Sequence, residues 1–248
     1  SGLTSKSASI FNVSASENTT SSYETYMNNA VERWNKVLNY TLPEGLSTPS
    51  IHFTLEDEGN NGTLGWAYID TAQSTNDTST FGYVFPMVGY MNINTYYYPA
   101  HGDPETTILH EMGHILGIGS LWIWDTDPST RPISDDGLWY FGEHALREYK
   151  YYYEQSGGNP DDIYGIPIEN DGGGGTAYGH SEEGDHRHIS ANNRYYNGVL
   201  HPGLGSELMT GWSDGGNELS RITIGFLEDL GYNVNYDEAD EYTLIIPE

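Results

Sequence analysis

The segment HEMGHILGIGSLW, residues 110–122, constrains the fold of this chain more than any other stretch. His110 and His114 are four residues apart, so on a helix they lie one above the other on the same side. Asp103 is predicted to cap the first turn of that helix, with Pro104 at its first position. The helix itself is predicted because apolar residues recur at helical spacing: Ile108, Leu109, Met112, Ile115 and Leu116.

The two imidazoles of this helix predict a metal site. Histidine nitrogens at this spacing can bind one zinc ion at about 2.0–2.1 Å. Glu111 is poorly placed to be a third ligand, but its carboxylate can hold a metal-bound water and take its proton. His-Glu-x-x-His is therefore the pattern of a zinc hydrolase. The alternative is a surface helix whose histidines face water, and the apolar, capped helix with Gly117 and Gly119 after it argues against that alternative.

Composition and charge limit the classes of partner. The chain has 248 residues, enough for one sizeable domain or two tightly packed lobes. A net charge of −27 argues against nucleic acid and anionic membranes as partners. No apolar run reaches the roughly 18 residues that a membrane span needs. The acidic residues are predicted to form a solvated surface or, in some Asp clusters, to bind calcium, although no EF-hand-like loop is present. Without cysteine, thiolate ligands are excluded.

Periodicity and turn residues predict the remaining elements. A helix over 22–39 is predicted because Tyr26, Ala30, Trp34 and Leu38 recur at every fourth position. A last helix is predicted to begin after Ser220 and to end at Gly231. The four glycines at 172–175 predict a tight, backbone-dominated turn rather than a phosphate-binding loop, because the Lys and Ser/Thr of such a loop do not follow in the required place. The other predictions are an extended segment before residue 20, strands at 51–55 and 63–69, an edge strand at 89–94 and one helix at 139–153.

Three segments together resemble the leishmanolysin-type metzincin peptidases, and most closely their cysteine-free microbial and viral branch. They are HEMGHILGIGSLW, ELMTG at 207–211 and LSRITIGFLEDLGYNVNYDEADEYTL at 219–244. Weaker matches extend the similarity over most of the chain from about residue 20. The resemblance implies a mixed α/β (α+β) fold of metzincin type in one domain, residues 1–248. A lobe of about 1–117 would carry a twisted sheet and two helices, and a loop-rich lobe of about 118–248 would carry the methionine turn and final helix.

The resemblance also implies roles for individual residues. His110 and His114 would be the zinc ligands on the helix, and Glu111 would be the general base. Gly117 would mark the point at which the helix ends and the chain turns away. Met209 would be the methionine of the turn beneath the metal.

The third zinc ligand of the family is a histidine, and here the chain departs from the family pattern. No histidine stands at the family's usual distance before the turn methionine. The segment GGGGTAYGHSEE, residues 172–183, resembles the family's approach to this ligand and favours His180, which implies an insertion at roughly 184–203. The alternatives are His201, His186 and His188. His52 is predicted to be an exposed or hydrogen-bonded side chain rather than a ligand, and His144 is predicted to be structural.

These residues lead to the expectation of a zinc-dependent endopeptidase that cleaves proteins or peptides. Three imidazoles leave zinc an open position for water and the scissile carbonyl, and Glu111 would pass the water's proton to the departing amine. We expect a domain that is monomeric and either secreted or associated with a virion or cell surface. Two alternatives are a zinc-retaining, non-proteolytic binding or adhesion module and an acidic structural domain that binds metal incidentally. The intact Glu111 favours the enzyme.

Overall fold

The computed structural model describes residues 9–75, 84–123, 130–184, 194–212 and 217–247. In these ranges the chain is a mixed α+β protein with four α-helices and a four-stranded mixed sheet, which confirms the predicted fold class. None of the helices in these ranges combines the length and apolar character needed to cross a bilayer. The chain divides into two compact units. The first contains described residues within 9–75, 84–116 and 232–238, and the second contains the rest.

The first unit is built on the four-stranded sheet. In chain order its strands are β1 (Asn12–Ala15), β2 (Ser50–Glu56), β3 (Gly65–Ser74) and β4 (Val84–Asn94), and they lie side by side in the order β1-β2-β4-β3. The β1–β2 and β2–β4 pairs are parallel, whereas β3 and β4 are antiparallel. Burial alternates along β2, so one face of this strand packs into the core of the unit.

The prediction of an edge strand at 89–94 is wrong, because β4 lies between β2 and β3, and the edge strands are β1 and β3. The polar side chains of Asn92 and Asn94 are both buried in this inner strand. The amide of Asn94 donates to the carbonyl oxygens of Gly59 at 3.1 Å and Thr63 at 3.0 Å. A loop from the end of β2 thus satisfies polar groups that would otherwise need water.

Two helices complete the core of the first unit. Helix α1 (Ser21–Val37) begins after Thr20, whose hydroxyl accepts from the backbone N–H of Tyr23. Helix α2 (Glu105–Leu116) carries the HEMGH motif. The predicted cap of α2 is confirmed, because Asp103 Oδ1 accepts from the N–H of Glu105 at 3.0 Å, although the hydrogen-bonded helix begins one residue later than predicted.

The segment Tyr232–Glu238 returns to the first unit after residues 117–231, which belong to the second. The Tyr232 hydroxyl donates to the carbonyl oxygen of Leu116 at 2.8 Å, at the end of α2. The N–H of Asn235 donates to the Val37 carbonyl at 2.8 Å, at the end of α1. This short segment therefore holds the carboxyl ends of both helices.

The second unit contains two helices and short strands. In chain order its elements are β5 (Trp139–Tyr140), α3 (Glu143–Gln155), β6 (Ile166–Pro167), β7 (Arg194–Tyr196), β8 (Val199–His201) and α4 (Arg221–Asp229). Helix α4 agrees with the predicted last helix: the Ser220 hydroxyl accepts from Ile222 N–H at 3.1 Å, and Gly231 after the helix has a φ of 105°. Helices α3 and α4 pack closely at Gly225, where a Cβ would lie 2.6 Å from the Cα of Ala145.

The prediction of one helix over 139–153 is wrong at its start. Trp139 and Tyr140 instead form β5, which pairs antiparallel with β6. Helix α3 begins only after Gly142, where a Cβ would lie 2.3 Å from Asp229 Oδ2. His144 is structural, as predicted, because its Nδ1 lies 2.9 Å from the Asp229 carboxylate.

Candidate metal centre

Helix α2 holds two of the predicted zinc ligands in one place. The Nε2 atoms of His110 and His114 lie 3.0 Å apart. Two nitrogens bound tetrahedrally to one zinc ion stand about 3.3 Å apart, so the rings already have nearly the required geometry. His114 is buried and His110 half-buried. The helix ends at Leu116, and Gly117 takes a φ of 122°, where the resemblance placed the end of this helix.

Glu111 occupies the helix between the two histidines and is buried. Burial raises the pKa of its carboxyl group to about 8, because a low-dielectric surrounding penalises the charged form. A carboxyl group with this pKa can keep a proton near neutral pH. A general base needs this property once it has accepted a proton from water.

His180 is held by the glycine-rich segment that precedes it. Gly172 and Gly173 both have positive φ, and the N–H of Thr176 donates to the Gly173 carbonyl at 3.1 Å, so the predicted tight turn is present. The N–H of Glu169 donates to the carbonyl of His180 at 2.9 Å, which closes the loop. His180 Nδ1 lies 2.7 Å from the Thr176 carbonyl and must donate to it, so the lone pair of the neutral ring lies on Nε2.

The ligand atoms of His110, His114 and His180 all lie within 4.8 Å of one another. Three imidazoles at this separation suit zinc, which prefers nitrogen ligands and a tetrahedral arrangement. In the described ranges they are the one group of three or more His, Asp or Glu side chains that meets this distance.

His201 lies outside this group. Its side chain is fully buried, and Nδ1 lies 3.0 Å from the Val199 carbonyl. Its Nε2 accepts from the backbone N–H of Tyr164 at 2.9 Å, and the ring packs edge-on against Trp139. Both nitrogens are thus used in structural hydrogen bonds. His186 and His188 lie outside the described residues.

The predicted methionine turn lies next to the His180 segment. Met209 is fully buried, and its carbonyl accepts from the N–H of Ser181 at 3.2 Å. The N–H of Met209 donates to Glu207 Oε2 at 2.6 Å. Burial raises the pKa of Glu207 to about 7. Sequence reasoning overlooked Glu207, and the only signal for it was its position two residues before the turn methionine.

Gly119 lies close to the backbone of Gly179, so a substitution at Gly119 can test the packing beside His180. Its φ is 76°, and a Cβ there would lie 2.0 Å from the carbonyl oxygen of Gly179, the residue before His180. We expect Gly119→Ala to cost about 1–2 kcal/mol for the left-handed conformation and about 1–3 kcal/mol more for overpacking. Denaturant unfolding of the metal-free protein measures this loss.

Gly157→Ala is the matched control for Gly119→Ala. Gly157 has a φ of 93° but no atom within 4 Å of the Cβ position, so only the conformational part of the cost applies. Equal losses of stability in the two variants would contradict the close contact between Gly119 and Gly179.

Comparison with protein-family models and with curated proteins gave no match for this chain.

Proposed function

We propose that this protein is a zinc-dependent endopeptidase of metzincin type, similar to leishmanolysin. The observation that carries the proposal is the grouping of the His110, His114 and His180 ligand atoms within 4.8 Å, with Glu111 buried between the first two. One helix supplies two of the three ligands. The third comes from a loop fixed by backbone hydrogen bonds.

The ligand set determines the chemistry that a zinc ion would supply. With three neutral imidazoles the ion keeps its double positive charge and a coordination position for water, so it can acidify that water and polarise a peptide carbonyl. The Nδ1 bond from His180 to the Thr176 carbonyl would orient the ring and increase the basicity of Nε2.

Glu111 would move the proton in this reaction. A neighbouring cation favours the carboxylate form and opposes the effect of burial on its pKa, so the group starts as a base. Once it has taken a proton from water, its buried position favours keeping that proton until the departing amine accepts it. One carboxyl group can thus act as general base and then as general acid.

Zinc content and casein cleavage test the proposal together. We expect about one zinc ion per purified chain, cleavage of casein, loss of cleavage with 1,10-phenanthroline and recovery when zinc is added back. Bound zinc without cleavage of casein or of other unfolded proteins would instead favour the non-proteolytic binding module. Absence of bound zinc after incubation with the metal would refute both interpretations.

Substitution of individual histidines identifies the third ligand. We expect His180→Ala to lose zinc on dialysis and to lose casein cleavage, because two imidazoles cannot complete the site. His201→Gln is expected to lower stability, because the Tyr164 N–H loses its acceptor, the Nε2 atom of His201. The variant should nevertheless retain zinc. Zinc analysis of both variants, at a temperature where circular dichroism shows them folded, checks this. The reverse pattern would assign the third ligand to His201.

A further inference from the structure

Glu207 is the centre of a buried hydrogen-bond network in the second unit. Its side chain is fully buried, and its Oε2 accepts from the N–H of Met209 at 2.6 Å. Its Oε1 accepts from the N–H of Ser220 at 3.2 Å and from the Ser220 hydroxyl at 2.9 Å. The Thr223 hydroxyl also donates to Oε1. Four donors from two separate segments thus converge on one carboxyl group.

These four donors join the methionine turn to the beginning of α4. Ser220 is the N-cap of this helix and Thr223 lies in its first turn. The first N–H groups of a helix lack partners within it and carry partial positive charge, so an acceptor there is favourable. Glu207 satisfies one such group and, through its other oxygen, fixes the Met209 backbone.

The methionine turn supports the segment that carries His180. The Met209 carbonyl accepts from the N–H of Ser181, the residue after His180, at 3.2 Å. Thr210 forms a bridge with Ser181, and a Cβ on Gly211 would lie 3.8 Å from His180 Cγ. A shift of the turn would therefore move both the backbone and the ring of His180.

We propose that Glu207 is a positioning residue for the metal centre, which sets zinc affinity by holding the Met209 turn against α4 and so fixing His180. This inference rests on the proposed zinc site at His110, His114 and His180. Glu207 itself binds no metal in this role. Its effect passes through the backbone of Met209 and Ser181.

Glu207→Gln is a nearly isosteric test of this role. The amide has one acceptor oxygen and one nitrogen that can only donate. Hydroxyl groups can turn and accept, but the backbone N–H groups of Met209 and Ser220 cannot. One of these two buried donors must therefore lose its partner, which costs free energy and loosens the turn or the helix cap.

Asp229→Asn is the matched control in the same unit. Asp229 is also buried and also accepts two backbone N–H bonds, from His144 at 2.7 Å and Ala145 at 3.2 Å. It lies at the opposite end of α4 from Ser220. Asp229→Asn therefore leaves a comparable backbone N–H without an acceptor, and it does not alter the methionine turn.

Zinc affinity, measured by competition with a chromogenic chelator, separates positioning from general stability. We expect Glu207→Gln to bind zinc about 10–100-fold more weakly than the parent, the range for partners that orient metal ligands. Asp229→Asn is expected to stay within about 3-fold of the parent, although urea unfolding of the metal-free proteins should show comparable losses of stability in both. Cobalt-substituted Glu207→Gln should also show an altered visible absorption spectrum, which reports ligand geometry.

The outcomes distinguish this inference from the proposed function. Zinc affinity of Glu207→Gln equal to that of Asp229→Asn would show that Glu207 serves stability alone. A parent protein that binds no zinc would overturn the proposed function and this inference with it. If Glu207→Gln does not fold, Thr223→Val removes one donor while keeping the carboxyl group, and a decrease in zinc affinity relative to Asp229→Asn is then the expected result. An unchanged affinity in Thr223→Val would refute the proposal.

Discussion

Glu111→Gln is expected to retain one zinc ion per chain and to lose proteolytic activity by about 10²–10⁴-fold. Glutamine has nearly the size of glutamate, so the helix that carries His110 and His114 should keep its shape. Its amide, however, cannot accept a proton from water or return one to an amine. Zinc binding and catalysis should therefore separate in this one variant.

The measurement is kcat/KM on a fluorogenic peptide chosen from the casein cleavage sites, with zinc determined on the same samples. His101→Gln is the control, because His101 is exposed and lies on the turn before α2, outside the three-histidine group. Activity of Glu111→Gln within a few-fold of the parent would rule out Glu111 as the general base. Loss of zinc together with activity would show that the carboxylate contributes to metal binding.

Trp34→Ala is expected to lower the free energy of unfolding by about 3–5 kcal/mol, the largest stability effect of a single substitution predicted for this chain. Trp34 is fully buried on α1, so its removal leaves a cavity that close-packed neighbours can fill only in part. Its indole N–H also donates to the carbonyl of Leu109 at 3.0 Å. Leu109 directly precedes His110, so the same contact supports the helix backbone beside this histidine.

Urea unfolding of the metal-free protein, followed by circular dichroism, measures this effect without a contribution from zinc binding. Trp34→Phe is the matched variant. It replaces the bicyclic indole by a single ring, so it keeps most of the buried apolar surface but loses the N–H. We expect it to cost clearly less than the alanine variant. A loss below about 1 kcal/mol in Trp34→Ala would be inconsistent with a close-packed core at this position.

The elements that the sequence predicts well are those with local signals. Helix α2 has an apolar stripe, a cap at Asp103 and a glycine after its last residue, all within 15 residues of one another in the chain. Helix α4 likewise has its cap at Ser220 and its terminating Gly231. Helical hydrogen bonds join residues four apart in the chain. Such local signals are therefore sufficient to predict a helix without knowledge of the rest of the fold.

The predictions that were wrong concern pairing between distant residues. Whether β4 is an edge strand depends on the position of β3, and whether Trp139 begins a helix depends on its partner Pro167. The choice between His180 and His201 as the proposed third ligand also depends on distant contacts, because both are histidines in glycine-containing segments. What separates them is that the ring of His201 is used by the backbone of Tyr164 and Val199, and no local pattern encodes those contacts.

The return of Tyr232–Glu238 to the first unit has a consequence for the order in which the protein can form during synthesis. The strands and helices of that unit leave the ribosome early, but the residues that hold the ends of α1 and α2 are made more than a hundred positions after α2. The first unit therefore cannot be completed until most of the second has been translated. Separate domains usually fold in the order of synthesis, whereas completion of this unit requires residues 232–238.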